Sequence, residues 1–383
     1  MASRYNYESP DGYEMNGPPA PKYEVDRAGT LAPRWYEYKH WNRRTWIGVG
    51  AVVVLVVVII VATVAGVEVA KKNNRYPDYS KLTYKLSDTY SGENFFDQFD
   101  YFTGYDPTGG FVHYVPAEMA KQYNLTYASP SSAIVRVDTS VTPETVPNAS
   151  TGRFSVRITS KKQYGINNLF IFDVSHTPIG CGTWPALWLT DPANWPENGE
   201  IDVMEAVNVV SSAANQIALH TSSGCSMGGV KRKESGNSLS SSCVNSTNGN
   251  EGCGVDAGTN TFGKAFNDQT GGITAMELRS AGIRVWTWAR ASIPGDISSG
   301  NPDPSTWGEA TADYPNTKCN IDNHFRNQSI IANINLCGSW AGDTNVYSKT
   351  CSGDCKDNVA NNPTAFKDAY WEFGSFHVYS AAA

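Results

Sequence analysis

Two patterns of hydrophobic and polar residues divide the chain. Residues 46–67 are an apolar stretch of 22 residues without a charge. A helix of this length spans a hydrocarbon core of about 30 Å, and Trp46 lies at its edge, where membrane proteins enrich aromatic residues. A cleaved signal peptide is the alternative, but its apolar region is about 7–15 residues long and begins nearer the N-terminus. The pattern therefore predicts a single membrane-spanning helix over residues 46–67.

After residue 76, short runs of alternating apolar and polar residues take over. A period of two is typical of β-strands. Such runs occur at residues 154–160, 168–175, 200–207, 216–222, 282–290, 329–336 and 370–380. Turns rich in Gly, Asn, Ser and Pro separate them, and the chain holds 34 Gly and 20 Pro. We therefore predict an antiparallel sandwich or barrel, with residues 222–263 as a long loop inside it.

These patterns give four segments. Residues 1–45 are polar, carry mixed charges and lack apolar periodicity, so we predict a disordered tail. The helix over 46–67 follows, then a linker over 68–89, then one large β domain over 90–383. The net charge of −7 argues against nucleic acid as a partner, because nucleic-acid-binding domains present a basic face. We expect a monomer.

The cysteines point to an oxidising compartment. All eight lie in the C-terminal part of the chain, at positions 181, 225, 243, 253, 319, 337, 351 and 355. They form no C-x-x-C pair, so a zinc ribbon is not indicated. An even set of this kind predicts disulfides, but the sequence alone does not select their pairing.

Acceptor sequons for N-glycosylation occur at Asn124, Asn148, Asn245 and Asn327. Basic residues flank the apolar stretch on both sides, so the positive-inside rule does not decide the orientation. The sequons and the cysteines do, because both need the C-terminal side outside the cytosol. We therefore predict a single-pass type II membrane protein with a cytosolic tail and a luminal or extracellular main domain.

Three carboxylates in the run GEIDVMEA are the candidate chemical centre: Glu200, Asp202 and Glu205. On a regular strand, Glu200 and Asp202 share a face and Glu205 falls on the opposite face. That position would bury a carboxylate among apolar residues, which is costly. A β-bulge at Val203 and Met204 returns Glu205 to the acidic face, and bulges are enriched next to active sites. The spacing therefore predicts a bulge between Asp202 and Glu205.

Three acids on one face repel each other, so the pKa of at least one of them rises. A protonated acid beside an ionised carboxylate is the pair that cleaves glycosidic bonds. An exposed acidic strand or a calcium ligand set is the alternative, although tryptophans precede the acids at positions 184, 188 and 195. The sequence contains no Ser/His/Asp triad motif, P-loop or H-E-x-x-H motif. The acids therefore favour a glycosidase.

The run E-I-D-V-M-E resembles the Glu-x-Asp-x-x-Glu signature of glycoside hydrolase family 16. The upstream CGTWPALWLTDPANWPENG is similar to the fungal laminarinase and endo-1,3(4)-β-glucanase branch, and the resemblance extends from about Tyr90 to the C-terminal YWEFGSFHVYS. It implies an all-β jelly-roll sandwich of two antiparallel sheets with a concave substrate cleft. It also implies a retaining mechanism in which Glu200 is the nucleophile, Glu205 the general acid/base and Asp202 the residue that orients and tunes them.

The resemblance implies endo-acting hydrolysis of β-1,3 or mixed β-1,3/1,4 glucan. The extra residue between Asp202 and Glu205 favours β-1,3-containing glucan, since strict mixed-linkage lichenases resemble a shorter E-x-D-x-E. A glucan transglycosylase that remodels the cell wall is the alternative on the same fold. A non-catalytic glucan-binding module is a further alternative, but it would have lost the glutamates. No cofactor is expected to be required and no metal ligands are identified, although a structural calcium remains open.

Aromatic residues are candidates for stacking on sugar rings. We predict that Trp188 and Trp195 line the cleft, with core packing as the alternative. Trp184 is left open between these two roles. His220 follows the acidic strand at hairpin distance. Its strand resembles the family strand that lines the leaving-group side, which implies a role for His220 there, with a satisfied core histidine as the alternative. Substrate binding is also predicted for Trp286, on the same strand face as Trp288, with core packing as the equal alternative. Trp307 is in a loop that resembles a donor-side binding loop of the family, which implies substrate binding there too.

Overall fold

The computed structural model describes residues 38–142, 144 and 152–382. It divides into two compact units, one ending at Lys71 and one from Lys72 to Ala383. The predicted tail up to residue 37 and the sequon at Asn148 lie outside the described residues.

The first unit contains one long helix, α1, over Arg43–Asn73. It includes the predicted stretch 46–67 and extends beyond it at both ends. Its large apolar side chains, such as Val54, Leu55 and Ile60, are exposed. The segment Arg43–Glu68 has the length and composition of a membrane span. The helix prediction is confirmed, and the crossing of a membrane stays a prediction.

The second unit is built mainly from strands. They are β1 Tyr84–Ser91, β2 Phe99–Tyr101, β3 Val112–Tyr114, β4 Thr126–Ala128, β5 Ala133–Arg136, β6 Arg153–Ser155, β7 Arg157–Tyr164, β8 Asn168–His176, β9 Thr183–Thr190 and β10 Glu200–Glu205. The chain continues with β11 Ser212–Ala213, β12 Gln216–His220, β13 Asn237–Ser238, β14 Val255–Asp256, β15 Phe262–Gly263, β16 Gly272–Arg279, β17 Gly282–Ala289, β18 Ala312–Pro315, β19 Gln328–Leu336 and β20 Tyr370–Ala381. Short helices lie between them: α2 Ala117–Gln122, α3 Lys264–Asp268, α4 Gly295–Ser298, α5 Ile321–His324, α6 Gly338–Ala341, α7 Thr344–Tyr347 and α8 Cys355–Asn361.

Two large antiparallel sheets dominate. Sheet I has the order β18-β17-β16-β8-β20-β5-β4, with β1 also paired to β20. Sheet II has the order β13-β14-β12-β10-β9-β19-β7-β2. The acidic strand β10 is therefore in the middle of sheet II, where neighbours on both sides fix its register.

The sheets pack face to face around one shared core, as expected for a sandwich. Phe170 and Phe172 of β8 contribute to this core from sheet I, and Leu187 and Leu189 of β9 contribute from sheet II. Because side chains alternate along a strand, the remaining positions of β9 and β10 lie on the other face, called here the open face of sheet II. The predicted all-β jelly-roll sandwich is confirmed.

The four predicted disulfides are present among the described residues: Cys181–Cys351, Cys225–Cys319, Cys243–Cys253 and Cys337–Cys355. Three of them join segments that lie outside the named strands, and Cys243–Cys253 closes a short interval within the long 222–263 loop. The loop is thus held inside the domain, as the sequence predicted.

The predicted linker over residues 68–89 needs correction. Its first residues continue helix α1, and its last residues form strand β1, which pairs with β20 from Tyr84 opposite Ala381 to Ser91 opposite Ser375. The backbone groups of β1 form an antiparallel ladder with the long strand β20. The last residues of the predicted linker are therefore part of sheet I. The β domain therefore begins before residue 90.

Candidate active site

The strand that carries the acids is irregular where the sequence predicted it. Between Asp202 and Glu205, β10 has two intervening residues, whereas the partner strand β9 has only Leu187 between Trp188 and Ala186. The register against β12 shifts over the same interval. Val203 and Met204 are both fully buried, so the extra residue is absorbed on the core side. The bulge is confirmed.

Asn215, which immediately precedes the adjacent strand β12, pins this bulge. Its Oδ1 accepts a hydrogen bond from the Glu205 backbone N–H at 2.8 Å, and its Nδ2 donates to the Val203 carbonyl at 2.9 Å. Asn215 is itself fully buried and its backbone N–H donates to Thr261 Oγ1. Both backbone groups that the bulge removes from the ladder are therefore satisfied, and the direction of Glu205 is fixed.

Glu205 is largely buried, and among the described residues its carboxylate accepts a hydrogen bond from an indole. The Trp184 indole Nε1 donates to Glu205 Oε1 at 2.6 Å, and Trp340 packs edge-on against Trp184. Burial and then the negative charge of Asp202 raise the pKa of Glu205 well above its ordinary value, while the Trp184 hydrogen bond opposes the rise. The group is thus suited to hold a proton near neutral pH. Trp184, which the sequence left open, belongs to the site.

Glu200 has more partners that favour its charged form. Burial and Asp202 raise its pKa, but His220, a hydrogen bond from Trp195 and the guanidinium of Arg157 act in the opposite direction. The residue before it is Gly199, with φ of +68°, where a Cβ would collide with the His324 carbonyl. Only glycine fits this close approach. The packing of Gly199 against His324 therefore fixes the position at which the acidic strand begins.

Asp202 is paired with His220 across the β10–β12 ladder. His220 Nε2 lies 3.1 Å from Asp202 Oδ2, and both side chains are nearly buried. This oxygen makes no aligned hydrogen bond among the described residues, so the contact is an ion pair. Burial alone would lower the pKa of His220, but Asp202 and then the charges of the two glutamates outweigh it and raise the pKa to about 10.

The other nitrogen of His220 meets the disulfide-closed loop. Its Nδ1 lies 3.0 Å from Asn250 Oδ1, and Asn250 is within the interval closed by Cys243–Cys253. A Cβ on Gly252 would contact the imidazole at 2.8 Å. The loop is therefore fitted closely over His220, which the structure brings to the carboxylates as predicted.

The two predicted cleft tryptophans are placed differently. Trp188 lies opposite Asp202 in the β9–β10 ladder, donates from Nε1 to Asn333 Oδ1 at 2.7 Å, and has the Arg157 guanidinium 4.9 Å from its ring centre. Trp195 is 42% exposed beside Glu200. Trp188 is thus held rigidly on the open face, while Trp195 presents an accessible ring.

Trp286 and Trp307 are not brought to the acids, which corrects their predicted role in substrate binding. Trp286 is on β17 of sheet I, 2% exposed, with Trp307 packed edge-on against it at 5.1 Å. Trp307 and Trp288 pack against a separate apolar cluster that includes Ile171 and Ile273. These tryptophans therefore cover the face of sheet I that points away from the shared core, called here its outer face.

Sequence reasoning missed four residues of the site: Arg157, Asn215, Asn250 and Asn333. Asn333 in β19 and Asn215 just before β12 are buried polar residues, and buried polar groups are usually part of a satisfied network. Arg157 interrupts an apolar run and stacks on Phe102 and Trp188. No sequence pattern marks Asn250, because its position next to His220 depends on how the loop closed by Cys243–Cys253 folds.

Glu200, Asp202 and His220 each offer one possible metal-ligating atom, and these atoms lie within 4.8 Å of one another, close enough to hold one cation. The same atoms form the ion pair and the carboxylate centre described above. The centre therefore has two chemical uses open to it, acid–base chemistry and cation binding, which a chelator experiment distinguishes.

A two-sheet jelly roll that presents a half-buried glutamate, a buried glutamate and a buried aspartate beside tryptophans defines a glycoside hydrolase. The family model described as the XgeA-like, catalytic GH16 domain matches residues 99–379. The chain belongs to glycoside hydrolase family 16, and the predicted resemblance is confirmed.

Two curated relatives have a similar sequence. A probable glycosidase of Schizosaccharomyces pombe is 44% identical over 309 residues, which are 80% of this chain and 71% of the relative. A probable endo-1,3(4)-β-glucanase of Aspergillus fumigatus is 39% identical over 306 residues, which are 78% of this chain and 45% of the relative. The chain thus matches less than half of the second relative's length.

Two solved structures are similar over their whole length. Laminarinase 16A of Phanerochaete chrysosporium, with β-glucans in donor and acceptor sites, is 41% identical, covers 78% of this chain and superposes with a TM-score of 0.73. An elongating family 16 β-1,3-glucosyltransferase is 34% identical, also covers 78% and has a TM-score of 0.70. The fold is therefore common to a hydrolase and a transferase.

Proposed function

We propose that the chain hydrolyses β-1,3-containing glucan internally, by a retaining double displacement. The observation that carries the proposal is the bulge, which gives Glu205 the same face as Glu200 and Asp202 and pins it through Asn215. The proposed roles are Glu200 as nucleophile, Glu205 as general acid/base and Asp202 as the residue that orients and tunes both.

The electrostatics support this division of roles. Glu200 has His220, Trp195 and Arg157 to stabilise its negative charge, which a nucleophile needs. Glu205 has burial and the charge of Asp202 to keep it protonated, which an acid needs. In the first step Glu205 protonates the leaving oxygen while Glu200 attacks the anomeric carbon. In the second step Glu205 takes a proton from water, and the sugar leaves Glu200 with its original configuration.

β-Glucan is the proposed substrate because the laminarinase with a similar structure holds 6-O-glucosyl-laminaritriose in its donor and acceptor sites. In this chain the exposed ring of Trp195 and the rigid ring of Trp188 flank the acids, and sugar C–H faces stack on such rings. The Arg157 guanidinium, which lies 4.9 Å from the Trp188 ring centre and acts on the charge of Glu200, is proposed as a further donor for sugar hydroxyls. Mixed β-1,3/1,4 glucan fits the same groups.

The test uses the full chain in detergent with a laminari-oligosaccharide and mass analysis of the products. Wild-type chain is expected to release shorter oligosaccharides, and Glu200→Ala is expected to lose about a thousandfold or more of the turnover, since it removes the nucleophile. Glu197→Ala, an exposed glutamate three positions earlier, is the matched control and should keep wild-type turnover. Undiminished turnover in Glu200→Ala would contradict the assignment.

A transglycosylase is the second candidate, favoured by the similarity to an elongating β-1,3-glucosyltransferase. The same glycosyl-enzyme would then be intercepted by a sugar hydroxyl instead of water. Products longer than the starting oligosaccharide, formed early and at low substrate concentration, would identify the transferase. Exclusively shorter products under those conditions would identify the hydrolase.

We also propose that helix α1 anchors the chain as a single-pass type II membrane protein at the cell surface or in the secretory lumen. The exposed sequons Asn124 and Asn327 and the four disulfides of the described residues support a luminal second unit. No cofactor is proposed to take part, since the glutamates supply both proton and nucleophile. Dialysis against EDTA should then leave turnover unchanged, and a loss restored by a divalent cation would contradict this.

A further inference from the structure

Residues 74–83, called here the strap, lie between helix α1 and strand β1 and run along the outer face of sheet I. They contain two tyrosines, Tyr76 and Tyr79, whose rings are 5.5 Å apart. The sequence predicts a linker here, over residues 68–89. Instead, its side chains make specific contacts with residues of sheet I.

The surface beneath the strap is a row of alternating charges across three adjacent strands. Glu277 of β16 pairs with Arg284 of β17, which in turn lies opposite Asp313 of β18. Arg284 Nη2 is 2.6 Å from Glu277 Oε2, and Arg279 lies beside the same carboxylate. All of these side chains are buried. Burying charges is costly unless their remaining bonding positions are filled, so this row, called here the ion row, needs a cover of polar groups.

The tyrosines of the strap supply that cover. The Tyr76 hydroxyl donates to Asp313 Oδ2 at 3.0 Å, and the Tyr79 hydroxyl lies 3.2 Å from the Ala281 carbonyl and 3.4 Å from Asp313 Oδ1. The Arg284 guanidinium lies 4.1 Å from the centre of the Tyr79 ring. Each tyrosine thus uses its hydroxyl on the carboxylate, and Tyr79 also uses its ring on the cation.

Further contacts fix the strap at both ends. Asn74 Nδ2 donates to the Gly229 carbonyl at 2.9 Å, and Arg279 Nη1 donates to the Ser80 carbonyl at 3.0 Å. Lys81 forms an ion pair with Asp303 at 2.7 Å. A Cβ on Gly282, whose φ is +155°, would collide with the Tyr79 hydroxyl. The sheet is therefore shaped to admit Tyr79 at this point.

We propose that the ion row is a docking surface whose occupant is the strap of the same chain, so that the second unit is complete only with residues 74–83 in place. The contacts are side-chain contacts to buried charges, which explains why periodicity did not reveal them. The surface is on sheet I, whereas the carboxylates are on sheet II. Releasing the strap is therefore expected to affect stability and protease resistance but not the chemistry.

The test uses the full chain in detergent and two readouts, the midpoint of thermal unfolding and the rate of tryptic cleavage after Lys81. Tyr79→Ala should lower the midpoint by about 5 °C or more and speed cleavage after Lys81 by at least about tenfold, because cleavage requires local release of the strap. Tyr79→Phe, which keeps the ring and removes the hydroxyl, should give a smaller change of the same sign. Tyr105→Ala is the control, since Tyr105 is 96% exposed.

The Tyr79→Phe variant keeps the test decisive if Tyr79→Ala does not fold. Glucan turnover at a temperature well below unfolding should be the same in wild type, Tyr79→Phe and Tyr105→Ala. Rapid cleavage after Lys81 in the wild type, with midpoints equal in the Tyr79 and Tyr105 variants, would overturn the proposal. Lost turnover in a variant that stays folded and protease-resistant would overturn the separation of the strap from the site.

Discussion

At the scale of residues, the proposed chemistry depends on how three carboxylates share the open face of sheet II. Burial and the charge of Asp202 raise the pKa of both glutamates, but Glu200 has partners on several sides and Glu205 has chiefly the Trp184 indole. The difference between the two acids thus comes from their neighbours, since the side chains themselves are identical. It is the same physical arrangement that separates acid from nucleophile in retaining glycosidases generally.

The pH dependence of turnover follows from these shifts. Activity requires Glu200 ionised and Glu205 protonated, and both pKa values are raised above the ordinary glutamate value. Both limbs of the kcat/KM profile should therefore lie at higher pH than a solvent-exposed glutamate pair would give. A profile measured on a laminari-oligosaccharide that falls already below pH 5 on its basic side would contradict this.

The same shift predicts a pH dependence of stability. A group whose pKa is raised on folding stabilises the fold below its unfolded pKa, and this stabilisation is lost as pH rises through the folded pKa. The wild-type unfolding midpoint should therefore decline between about pH 5 and pH 8 relative to Glu205→Gln, which is neutral at every pH. If the unfolding midpoints of the two proteins, measured by thermal denaturation, changed in parallel with pH, the pKa of Glu205 would not be raised in the folded state.

Asn250 should control the protonation of His220, since its Oδ1 lies 3.0 Å from Nδ1. Asn250 has a φ of +66°, so Gly and Asp are the replacements that fit. Asn250→Gly should lower the pKa of His220 and Asn250→Asp should raise it, each by roughly one pH unit, as followed by NMR of the imidazole. Ser246→Ala, an exposed change in the same loop, is the control, and equal titration in all three variants would contradict the prediction.

At the scale of elements, strand β10 shows that a sequence pattern can predict a local irregularity in a strand. The cost of burying Glu205 predicts a bulge, and the bulge is present. Other runs were also predicted closely, since 168–175 became β8 at Asn168–His176 and 370–380 became β20 at Tyr370–Ala381. Buried and half-buried residues alternate along most of β20, because one face of that strand meets the core and the other face is more open.

Strand β16 was missed. β16 is buried along all of Gly272–Arg279, because the shared core covers one face and the outer cluster the other, so its sequence does not alternate. β9 contains Pro185, which argues against a strand, yet it lies between β10 and β19. Alternation correctly placed Trp286 and Trp288 on the same face of a strand. It could not show that this strand belongs to sheet I, away from the carboxylates, because no local pattern reveals which sheet a strand joins.

The bulge itself gives a prediction at this scale. Asn215→Ala leaves the Glu205 N–H and the Val203 carbonyl without their partners, and each buried unsatisfied group costs about 1–3 kcal/mol. The variant should lower the free energy of unfolding by about 2–4 kcal/mol and reduce kcat more than it changes KM, since Glu205 loses its support. Denaturant melts and steady-state kinetics check both, with Asn237→Ala on the exposed edge strand β13 as control. A stable, fully active Asn215→Ala would show that the bulge does not need this clamp.

At the scale of the whole molecule, a helix long and apolar enough for a membrane precedes a disulfide-bonded glycoside hydrolase domain. The sequence predicted both parts. It did not predict that the segment between them is docked, because its contacts are made by side chains to charges far away in the sequence. Its cysteine pairing was also undetermined, because pairing depends on which loops the sheets bring together.

The proposed topology predicts glycans on the second unit. In a secretory host, Asn124→Gln and Asn327→Gln should each remove one glycosidase-sensitive step in mass, since both sequons are exposed. In sealed microsomes the second unit should resist added protease until detergent is supplied, while the N-terminal tail is digested. Digestion of the second unit without detergent would place it in the cytosol and contradict the type II assignment.

The central claim is that Glu200 forms a covalent bond to the sugar. The most direct measurement is to incubate the full chain with an activated 2-deoxy-2-fluoro laminari-oligosaccharide, which slows breakdown of the glycosyl-enzyme, and to map the modified peptide by mass spectrometry. The account predicts one added glycosyl group on Glu200, and none in Glu200→Ala. A label on another residue, or products of inverted anomeric configuration without any label, would contradict it.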